Sequence, residues 1–462
     1  MTSKQTSPTT FLDGLRSLVG DALRTDSDAL DAARADKSGY VAQGSPLAVI
    51  EARTIADVQA TLRWATEHRV PVVPRGAGTG LAGGAIGSEG ELVLSTRLMD
   101  RILEVSVDDE LAVVEPGVLN ADLNDQLSTR GLWWAPDPAS RKIATVGGNI
   151  ATNAGGLLCV KYGVTREAVL GLKVVLADGR LLELGHRTVK GVTGYDLTAL
   201  MIGSEGTLGV IVEATLKLLQ LPRGGVVTVK GVFATTEQAA RASSVVSATG
   251  LKPSMMELLD PHAVSSIAEY LGLELGEGAI LLVQTDGMAA ADEADAIAAV
   301  MRSLGAEVEA TTDAEEGVRL FNIRRSFHPS LEARGTVLIE DVAVPRSALP
   351  AMFASIERIA KKYGLEIPTV AHAGDGNLHP NFVFHGEKVN GHVEVPEHVW
   401  AAADEMFVDC LRLGGTLTGE HGVGILKKRW LRDELGDDSF DLQRQIKQVF
   451  DPLGILNPGK IF

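Results

Sequence analysis

The stretch RGAGTGLAGGAIG, residues 75–87, decides how the first half of this chain folds. Gly78, Gly80 and Gly83 match the G-x-G-x-x-G spacing of dinucleotide-binding βαβ units. The context argues against such a unit, because no amphipathic helix follows the glycines and no βαβ unit can be drawn around them. We therefore expect a backbone anion nest whose N–H groups approach a diphosphate closely. A flexible surface loop is the alternative.

Two further glycine-rich stretches indicate the same kind of ligand. PDPASRKIATVGGNIATNAGG, residues 136–156, and GYDLTALMIGSEGTLGVI, residues 194–211, both end in glycine-punctuated turns, the second beside Glu205. Three such loops on one β-rich domain predict a long nucleotide cofactor lying across it. Short polar side chains in the first of these two stretches suit the ribityl, phosphate and ring-edge atoms of a cofactor: Ser140, Thr145, Asn149, Thr152 and Asn153.

A hairpin near the end of the chain is expected to bring two histidines together. AHAGDGNLHPN, residues 371–381, contains an Asp-Gly pair, which is a strong signal for a two-residue type I′ turn. That turn would pair His372 directly with His379 on one face of the hairpin, with Asn381 on the same face. Two imidazoles so placed can bind one metal ion. A hydrogen-bonded pair of histidines is the alternative.

GTLTGEHGVG, residues 415–424, sets Glu420 and His421 side by side between glycines. Alone it could be a polar loop surface. With the two hairpin histidines, however, Glu420 completes a His-His-Glu set that leaves metal positions open for a substrate and suits Zn, Mn or Fe. His421 is a candidate general base, because the ordinary pKa of histidine lies near neutrality.

The order of the elements predicts two domains in an α+β chain of 462 residues. Helices at 11–23 and 57–69 precede a run of antiparallel hairpins that ends near Leu221, in the linker LPRGG. We expect domains at 1–221 and 222–462. In the second, strands and helices alternate, which predicts an antiparallel sheet with helices on one face. The terminal NPGKIF is expected to pack back across the domain junction.

Composition excludes several classes of function. A net charge of −17 argues against a nucleic-acid partner. Two cysteines give no disulfide framework, and the polar N-terminus lacks the apolar run of a signal peptide. No stretch is long and apolar enough to span a membrane, so we expect a cytoplasmic protein that could still dock on a membrane complex through a partner. The oligomeric state is left open, with a homodimer as one option.

The three glycine-rich stretches resemble the FAD-binding domain of the vanillyl-alcohol oxidase / p-cresol methylhydroxylase flavoprotein superfamily. The second half, with the histidine hairpin, GTLTGEHGVG and NPGKIF, resembles the D-2-hydroxyacid branch. That branch contains the catalytic subunit of glycolate oxidase, D-lactate dehydrogenases and D-2-hydroxyglutarate dehydrogenase. The resemblance runs from about residue 40 to the C-terminus. It implies non-covalent FAD, since no candidate for a histidyl attachment is evident.

The resemblance also implies site residues. It places His372, His379 and Glu420 on a divalent metal and His421 over the flavin. Its implied FAD contacts are Arg75, Gly76, Gly78, Thr79, Gly80, Pro136, Asp137, Ser140, Thr145, Gly147, Gly148, Asn149, Thr152, Asn153, Gly155, Glu205, Ile211 and Asn457.

Chemistry then predicts how a small anionic 2-hydroxy acid would be oxidised to a 2-oxo acid. The metal lowers the pKa of the substrate hydroxyl, His421 takes its proton, and hydride passes to the flavin. Arg324 and Arg325 are candidates for binding the substrate carboxylate, with the resemblance favouring Arg324 and a solvent-facing basic pair as the alternative. Asn381 and His328 are further substrate candidates.

The residues before Asp341 bear on the choice of substrate. D-2-hydroxyglutarate dehydrogenases carry a lysine before the matching aspartate, whereas this chain has Ile339-Glu340-Asp341. This difference favours glycolate or D-lactate over D-2-hydroxyglutarate. A metal-dependent hydrolase and a non-catalytic flavin-binding subunit remain alternatives of other classes. The electron acceptor, a protein or a quinone, leaves no mark in the sequence.

Overall fold

The computed structural model describes residues 8–386, 388–389 and 392–462, which form two compact units. The first unit contains the chain up to Ala154, then Val164–Leu221 and His421–Phe462. The second contains Gly155–Gly163 and Pro222–Glu420. The predicted boundary at Leu221 falls where the chain leaves the first unit. The predicted second domain, 222–462, differs from the second unit because the last segment returns to the first.

Strands and helices are numbered in chain order over the described residues. The strands are β1 (Leu23–Arg24), β2 (Ala48–Glu51), β3 (Val72–Arg75), β4 (Leu92–Ser95), β5 (Ile102–Ser106), β6 (Leu111–Val114), β7 (Leu132–Trp133), β8 (Val169–Val175), β9 (Leu181–Gly185), β10 (Val210–Lys217), β11 (Leu219–Gln220), β12 (Gly225–Phe233), β13 (Met255–Leu259), β14 (Ala279–Gly287), β15 (Glu307–Thr311), β16 (Thr336–Ile339), β17 (Val342–Ala343), β18 (Thr369–His372), β19 (Asn377–Phe384), β20 (Lys388–Val389) and β21 (His392–Val393). The helices are α1 (Pro8–Val19), α2 (Ser27–Ala33), α3 (Ile55–His68), α4 (Asn120–Ser128), α5 (Val146–Thr152), α6 (Cys159–Tyr162), α7 (Leu197–Met201), α8 (Thr236–Ala248), α9 (Pro261–Leu271), α10 (Ala290–Ser303), α11 (Ala314–Arg325), α12 (Phe327–Glu332), α13 (Leu349–Tyr363), α14 (Glu397–Arg412) and α15 (Lys428–Phe450).

The first unit begins with a sheet of strand order β1-β2-β4-β3, in which β2 and β3 both run parallel to β4. Helix α3 connects β2 to β3, and a capping box between Thr54 and Asp57 starts it. The prediction that no βαβ unit can be drawn is therefore wrong. The glycine stretch nevertheless follows the second strand of this unit, and no helix follows the glycines before β4. It is not the phosphate-binding turn of a Rossmann fold.

The second sheet of this unit is antiparallel, with strand order β5-β6-β10-β8-β9. The predicted hairpins β5-β6 and β8-β9 are both present. Helix α5 packs on β10, and its residues Val146 and Ile150 lie in a buried apolar cluster with Leu172 and Val174 of β8. The second glycine-rich stretch is thereby anchored on this sheet.

The terminal segment joins the first unit through backbone pairing with β3. The N–H of Val72 donates to the carbonyl of Ile455 at 2.7 Å, and the N–H of Asn457 donates to the carbonyl of Val72 at 2.8 Å. Ile455 and Leu456 are buried in the core formed with β2, β3 and β4. Paired amides and buried apolar side chains explain why this segment leaves the second unit.

The second unit is built on an antiparallel sheet of order β15-β12-β14-β13-β18-β19-β16, with β17 also paired to β19. This confirms the predicted α+β class. Ile280 and Leu282 of β14 pack in one apolar cluster with residues of α9, α11 and α12. Leu281 and Val283 point to the opposite face and are also buried, where α8 and α10 contact the sheet. Helices therefore cover both faces, and the prediction of one covered face is wrong.

Asp260 connects α9 to the strand that carries His372. Its carboxylate accepts the N–H of Ala263 at 2.7 Å as the cap of α9, and it accepts the N–H of Thr369, the first residue of β18, at 3.0 Å. Burial raises the pKa of this carboxyl to about 7, although both amide bonds act in the opposite direction. A single buried side chain thus fixes a helix end and a strand start.

Across the described residues, the helices fall short of the length and apolarity that crossing a bilayer requires.

Replacing Asp260 by Asn should remove a pH dependence of stability. The pKa of Asp260 is about 7 in the folded protein, against about 3.9 in an unfolded chain. Between these values the folded state holds a proton that the unfolded state has lost, so folding is favoured at lower pH. The stability of the wild type relative to Asp260→Asn should fall by roughly 2–3 kcal/mol from about pH 5 to about pH 7.5. Urea denaturation of both proteins measures this difference, and parallel pH curves would contradict it.

Candidate active site

The histidine hairpin is formed by β18 and β19, but its register differs from the predicted one. His372 lies opposite Asn377, and Val370 lies opposite His379, so the predicted direct pairing of His372 with His379 is wrong by two residues. The turn takes up residues 373–376 because the N–H groups of Asp375 and Gly376 both donate to the carbonyl of His372. A longer loop therefore replaces the two-residue turn.

A contact outside the hairpin fixes this loop. Gly376 has a φ of 90°, and a Cβ placed on it would lie 2.1 Å from the carbonyl oxygen of Val344. The N–H of Val344 in turn donates to the carbonyl of Gly376 at 3.0 Å. The turn therefore needs glycine for both its conformation and its close approach to a neighbouring segment.

The register error leaves the functional prediction intact. A shift of two residues keeps every side chain on its face, so His372 and His379 become diagonal neighbours on one side of the hairpin. Their ring centroids are 5.0 Å apart with the planes at 83°. Both side chains are almost fully buried. Asn381 lies on the same face, and its Nδ2 donates to the carbonyl of His379 at 2.8 Å.

Asp341 positions the segment that carries Glu420. Its carboxylate accepts the Thr418 hydroxyl at 2.6 Å, the Glu420 N–H at 3.1 Å and the Asn377 side-chain amide at 2.5 Å. Asp341 is fully buried, and these hydrogen bonds replace the ones that water would otherwise make to its carboxylate. The same carboxylate thereby ties the Glu420 segment to the start of β19.

Glu420, His372 and His379 form a compact set of ligand atoms. One oxygen of Glu420 lies 3.5 Å from Nε2 of His372 and 3.2 Å from Nε2 of His379. Donors held about 2.0–2.1 Å from a tetrahedral ion are roughly 3.3–3.4 Å apart, so this set fits a divalent metal. The predicted His-His-Glu group is thus brought together within the second unit.

Glu257 orients His372 from behind. Its Oε1 lies 2.6 Å from Nδ1 of His372, and its Oε2 accepts the Nε–H of Arg324 at 2.9 Å. Metal-binding histidines commonly donate their second ring N–H to a carboxylate, which fixes ring orientation and tautomer. Arg324 therefore enters the cluster through Glu257, while Arg325 hydrogen-bonds to Asn322 on the same helix.

Electrostatics set the protonation states of this cluster. Burial by itself would lower the pKa of His372, but the charges of Glu257 and Glu420 outweigh burial and raise that pKa well above its ordinary value. Burial by itself would raise the pKa of Glu420, but the neighbouring histidines hold it well below its usual range. The charged forms of the two groups therefore stabilise each other.

Sequence reasoning missed Glu257 altogether and named Asp341 only for its place in the strand. A signal for Glu257 was available, because it is an acidic residue inside the apolar strand MMELL of β13. A carboxylate in a buried strand must find a partner, which makes it a candidate for holding a histidine or an arginine. The sequence could not tell which one.

Three other residues that the sequence analysis named, His328, Gly155 and His421, differ in their burial and contacts. His328 lies on α12 with Nε2 3.2 Å from Glu332, and its side chain is 43% exposed. Gly155 lies against Glu420, since a Cβ on it would be 2.7 Å from Oε2. His421 is half-buried and is the first residue of the last segment of the first unit.

The glycine stretch after β3 packs directly on the start of α5. A Cβ on Gly76 would lie 2.5 Å from Oγ1 of Thr145 and 3.8 Å from the nitrogen of Gly148. Thr145 is the cap of α5, and its hydroxyl accepts the Gly148 N–H at 3.2 Å. The glycine stretch therefore lies close to the N-terminus of a helix, where backbone N–H groups suit an anion, and its contact with a diphosphate stays a prediction.

Three predicted FAD contacts are engaged in holding this loop. The guanidinium of Arg75 donates to the carbonyls of Ala32, Ala35 and Ala85. Asn457 donates through Nδ2 to the carbonyls of Gly84 and Glu205 at 2.9 and 2.7 Å. Glu205 accepts backbone N–H groups with both carboxylate oxygens. Their cofactor contacts stay predictions.

The other predicted FAD residues lie along three segments of the first unit. Asn153 ends α5 in a left-handed conformation and accepts the Arg166 N–H, and Asn149 accepts the side-chain amide of Asn120. The segments are the loop after β3, with Gly78, Thr79 and Gly80; the loop before α5 and α5 itself, with Pro136, Asp137, Ser140, Gly147 and Thr152; and β10, with Ile211.

Comparison with known proteins identifies the family of this chain. A family profile described as the C-terminal domain of FAD linked oxidases matches residues 226–461, and an FAD binding domain profile matches residues 46–185. The glycolate oxidase subunit GlcD of Bacillus subtilis is 41% identical over 91% of this chain and 90% of its own length. A D-lactate dehydrogenase of Archaeoglobus fulgidus is 37% identical over 89% of this chain and 90% of its own length.

Solved structures share the fold. A structure of p-cresol methylhydroxylase with substrate bound superimposes with a TM-score of 0.79 at 18% identity, covering 98% of this chain and 96% of that chain. At that identity the likeness concerns the fold alone. The family profiles and the relatives together confirm the resemblance drawn from the glycine stretches. The chain belongs to the family of FAD-linked oxidases, with their FAD-binding domain followed by their C-terminal domain.

Proposed function

We propose that this protein oxidises a small D-2-hydroxy acid, glycolate or D-lactate, to the 2-oxo acid with FAD as the electron carrier. The observation that carries the proposal is the cluster of two buried histidines, His372 and His379, with the partly buried Glu420, in a chain that also has an FAD-binding domain. Relatives named glycolate oxidase subunit and D-lactate dehydrogenase, at 41% and 37% identity, support the same substrate class.

The cluster would hold a divalent metal ion, Zn, Mn or Fe. When bound, such an ion would supply Lewis-acid polarisation of the substrate hydroxyl, and FAD would supply the hydride acceptor. The task of the protein is then to orient the ligands. Glu257 fixes the ring of His372, and Asp341 fixes the backbone at Glu420.

Two side chains would act on the substrate itself. His421 would take the hydroxyl proton onto a ring nitrogen as general base. Arg324 would bind the substrate carboxylate through its Nη groups, while its Nε–H stays on Glu257. The bond to Glu257 also holds the guanidinium in one orientation, which lowers the entropy lost when substrate binds.

The acidic surroundings favour a monocarboxylate substrate. Glu340 and Asp341 are both buried where D-2-hydroxyglutarate dehydrogenases would carry a lysine before the aspartate. A second substrate carboxylate would meet negative groups at the position where D-2-hydroxyglutarate dehydrogenases carry a lysine. Glycolate and D-lactate have no second carboxylate.

Anaerobic mixing with substrate tests the proposal. FAD-loaded, metal-loaded protein should lose its flavin absorbance with glycolate or D-lactate, and a chelator should slow this reduction strongly, because the ion polarises the hydroxyl. Stopped-flow absorbance across a panel of D- and L-hydroxy acids gives the rates. A flavin that stays oxidised with every member of the panel would refute the proposed reaction.

Replacing His421 by Ala should abolish flavin reduction while FAD and metal contents stay at wild-type values, because only the proton acceptor is removed. A loss of general base catalysis corresponds to on the order of 10²–10⁴-fold in rate. His398→Ala, at an exposed histidine of α14, is the matched control and should react like the wild type. Turnover of His421→Ala at the wild-type rate would remove the assigned role.

Replacing Glu257 by Gln should weaken metal binding by about 10–100-fold, because the neutral amide no longer accepts a charge-assisted bond from His372. Metal titration of the FAD-loaded protein by competition with a chelator measures the change. Glu115→Gln is the control, since it breaks a buried carboxylate–arginine pair with Arg101 in the other unit. Equal metal affinities of the Glu257→Gln variant and the wild type would show that Glu257 does not orient a ligand.

A further inference from the structure

The four residues that follow the Glu420-His421-Gly422 turn are held by four consecutive backbone donors. The N–H groups of Val423 and Gly424 donate to the two carboxylate oxygens of Glu205 at 2.7 and 2.9 Å. The N–H groups of Ile425 and Leu426 donate to the carbonyl of Ala82 at 2.9 and 3.2 Å. The four donor residues, Glu205 and Ala82 all belong to the first unit. The backbone just after His421 is therefore hydrogen-bonded to Ala82 in the glycine stretch and to Glu205.

Two glycines from separate motifs make room for the Glu205 carboxylate. A Cβ on Gly84 would lie 2.9 Å from one oxygen, and a Cβ on Gly422 would lie 2.8 Å from the other. Gly422 also has a φ of 88°, which L side chains rarely adopt. Glu205 therefore leaves no space for a side chain at Gly422. A side chain at Gly422 or at Gly84 would push the carboxylate away from the backbone N–H groups that donate to it.

Glu205 itself occupies an unfavourable environment. Its φ is 50°, a left-handed conformation in a residue other than glycine, and its carboxyl is buried. Burial raises the pKa of Glu205 to about 7, while the bonds from Val423 and Gly424 act in the opposite direction. Asn457 holds the backbone here by donating to the Glu205 carbonyl at 2.7 Å. The left-handed backbone of Glu205 and the burial of its carboxyl both cost free energy. The hydrogen bonds that it accepts from the segment after His421 offset this cost.

We infer that Glu205 is a positioning residue for His421: its carboxylate fixes the backbone of Val423 and Gly424 and thereby aims the proposed base. This rests on the proposed function for the role of His421, but the anchoring itself does not. It differs from the cofactor contact that the family resemblance implies for Glu205. A positioning residue should affect the reduction step and local backbone order, whereas a cofactor ligand should affect FAD affinity.

Glu205→Gln separates the two roles, because it keeps the side-chain size and replaces one acceptor oxygen by a donor NH₂ facing a backbone N–H. The limiting rate of anaerobic flavin reduction should fall on the order of 10–100-fold, as expected when a catalytic group is displaced by about 1 Å. The hydroxy-acid concentration at half-saturation and the Kd for FAD should each change by less than about threefold. Hydrogen exchange of the amides at 423–424, followed by mass spectrometry, should become faster.

Asp260→Asn is the matched control. Asp260 is also a buried carboxyl that accepts two backbone N–H groups and has a pKa of about 7, but it lies in the other unit. It should lower stability without changing hydrogen exchange at 423–424, and that exchange is the only readout for which it serves as the control.

Gly84→Ala is a second route to the same result, since it leaves Glu205 in place and crowds its carboxylate. It should lower the reduction rate and speed exchange at 423–424, with FAD still bound.

The outcomes distinguish this inference from the proposed function. Loss of FAD from Glu205→Gln in proportion to its loss of rate would overturn the inference and make Glu205 a cofactor ligand. Unchanged exchange at 423–424 in Glu205→Gln would overturn it as well. If no hydroxy acid reduces the wild type, the proposed function fails, yet the exchange measurement still decides whether Glu205 anchors the segment.

Discussion

The rest of this structure depends on one kind of interaction, in which a buried carboxylate accepts hydrogen bonds from a side chain or from backbone N–H groups. Glu257 holds His372, Asp341 holds the backbone at Glu420, and Glu205 holds the backbone after His421. A buried carboxylate is costly unless each oxygen is hydrogen-bonded, so its donors cannot move away cheaply. Side chains that need accurate placement are thereby held by groups that have few alternative arrangements.

Much of the fold could be predicted from local pattern. The alternation of strand and helix from Gly225 to Thr311 follows the prediction apart from β13, which was missed, because apolar residues recur along the other elements and Thr235 and Asp260 cap two of the helices. The glycine stretch at 75–87 was correctly separated from a Rossmann turn by the lack of a following helix. The βαβ unit that precedes it was missed because its first strand, β2, has only four residues and was not predicted.

The parts that failed depend on contacts distant in sequence. The observed register of the hairpin differs from the predicted one by two residues, because Gly376 packs against the carbonyl of Val344. Local turn preferences do not include such a contact. The predicted metal ligands survived that error, since a shift of two residues preserves the face of every side chain. The last segment was expected to pack back across the domain junction, but its partner could not be named, because Val72 pairs with Ile455 and Asn457 almost four hundred residues away in sequence. Glu257 was missed because its partners lie on other elements.

The charges of the histidine cluster bear on the divalent ion proposed for it. Taken as ionised, Glu257, Asp341 and Glu420 bring three negative charges, Asp375 beside them adds a carboxyl with a pKa of about 6, and Arg324 brings one positive charge. With no metal, a raised pKa at His372 offsets one more charge and still leaves the cluster negative. A divalent cation would offset two of the negative charges and would let the two imidazoles be neutral ligands. Binding would then release the His372 proton, which couples metal affinity to pH with tighter binding at higher pH.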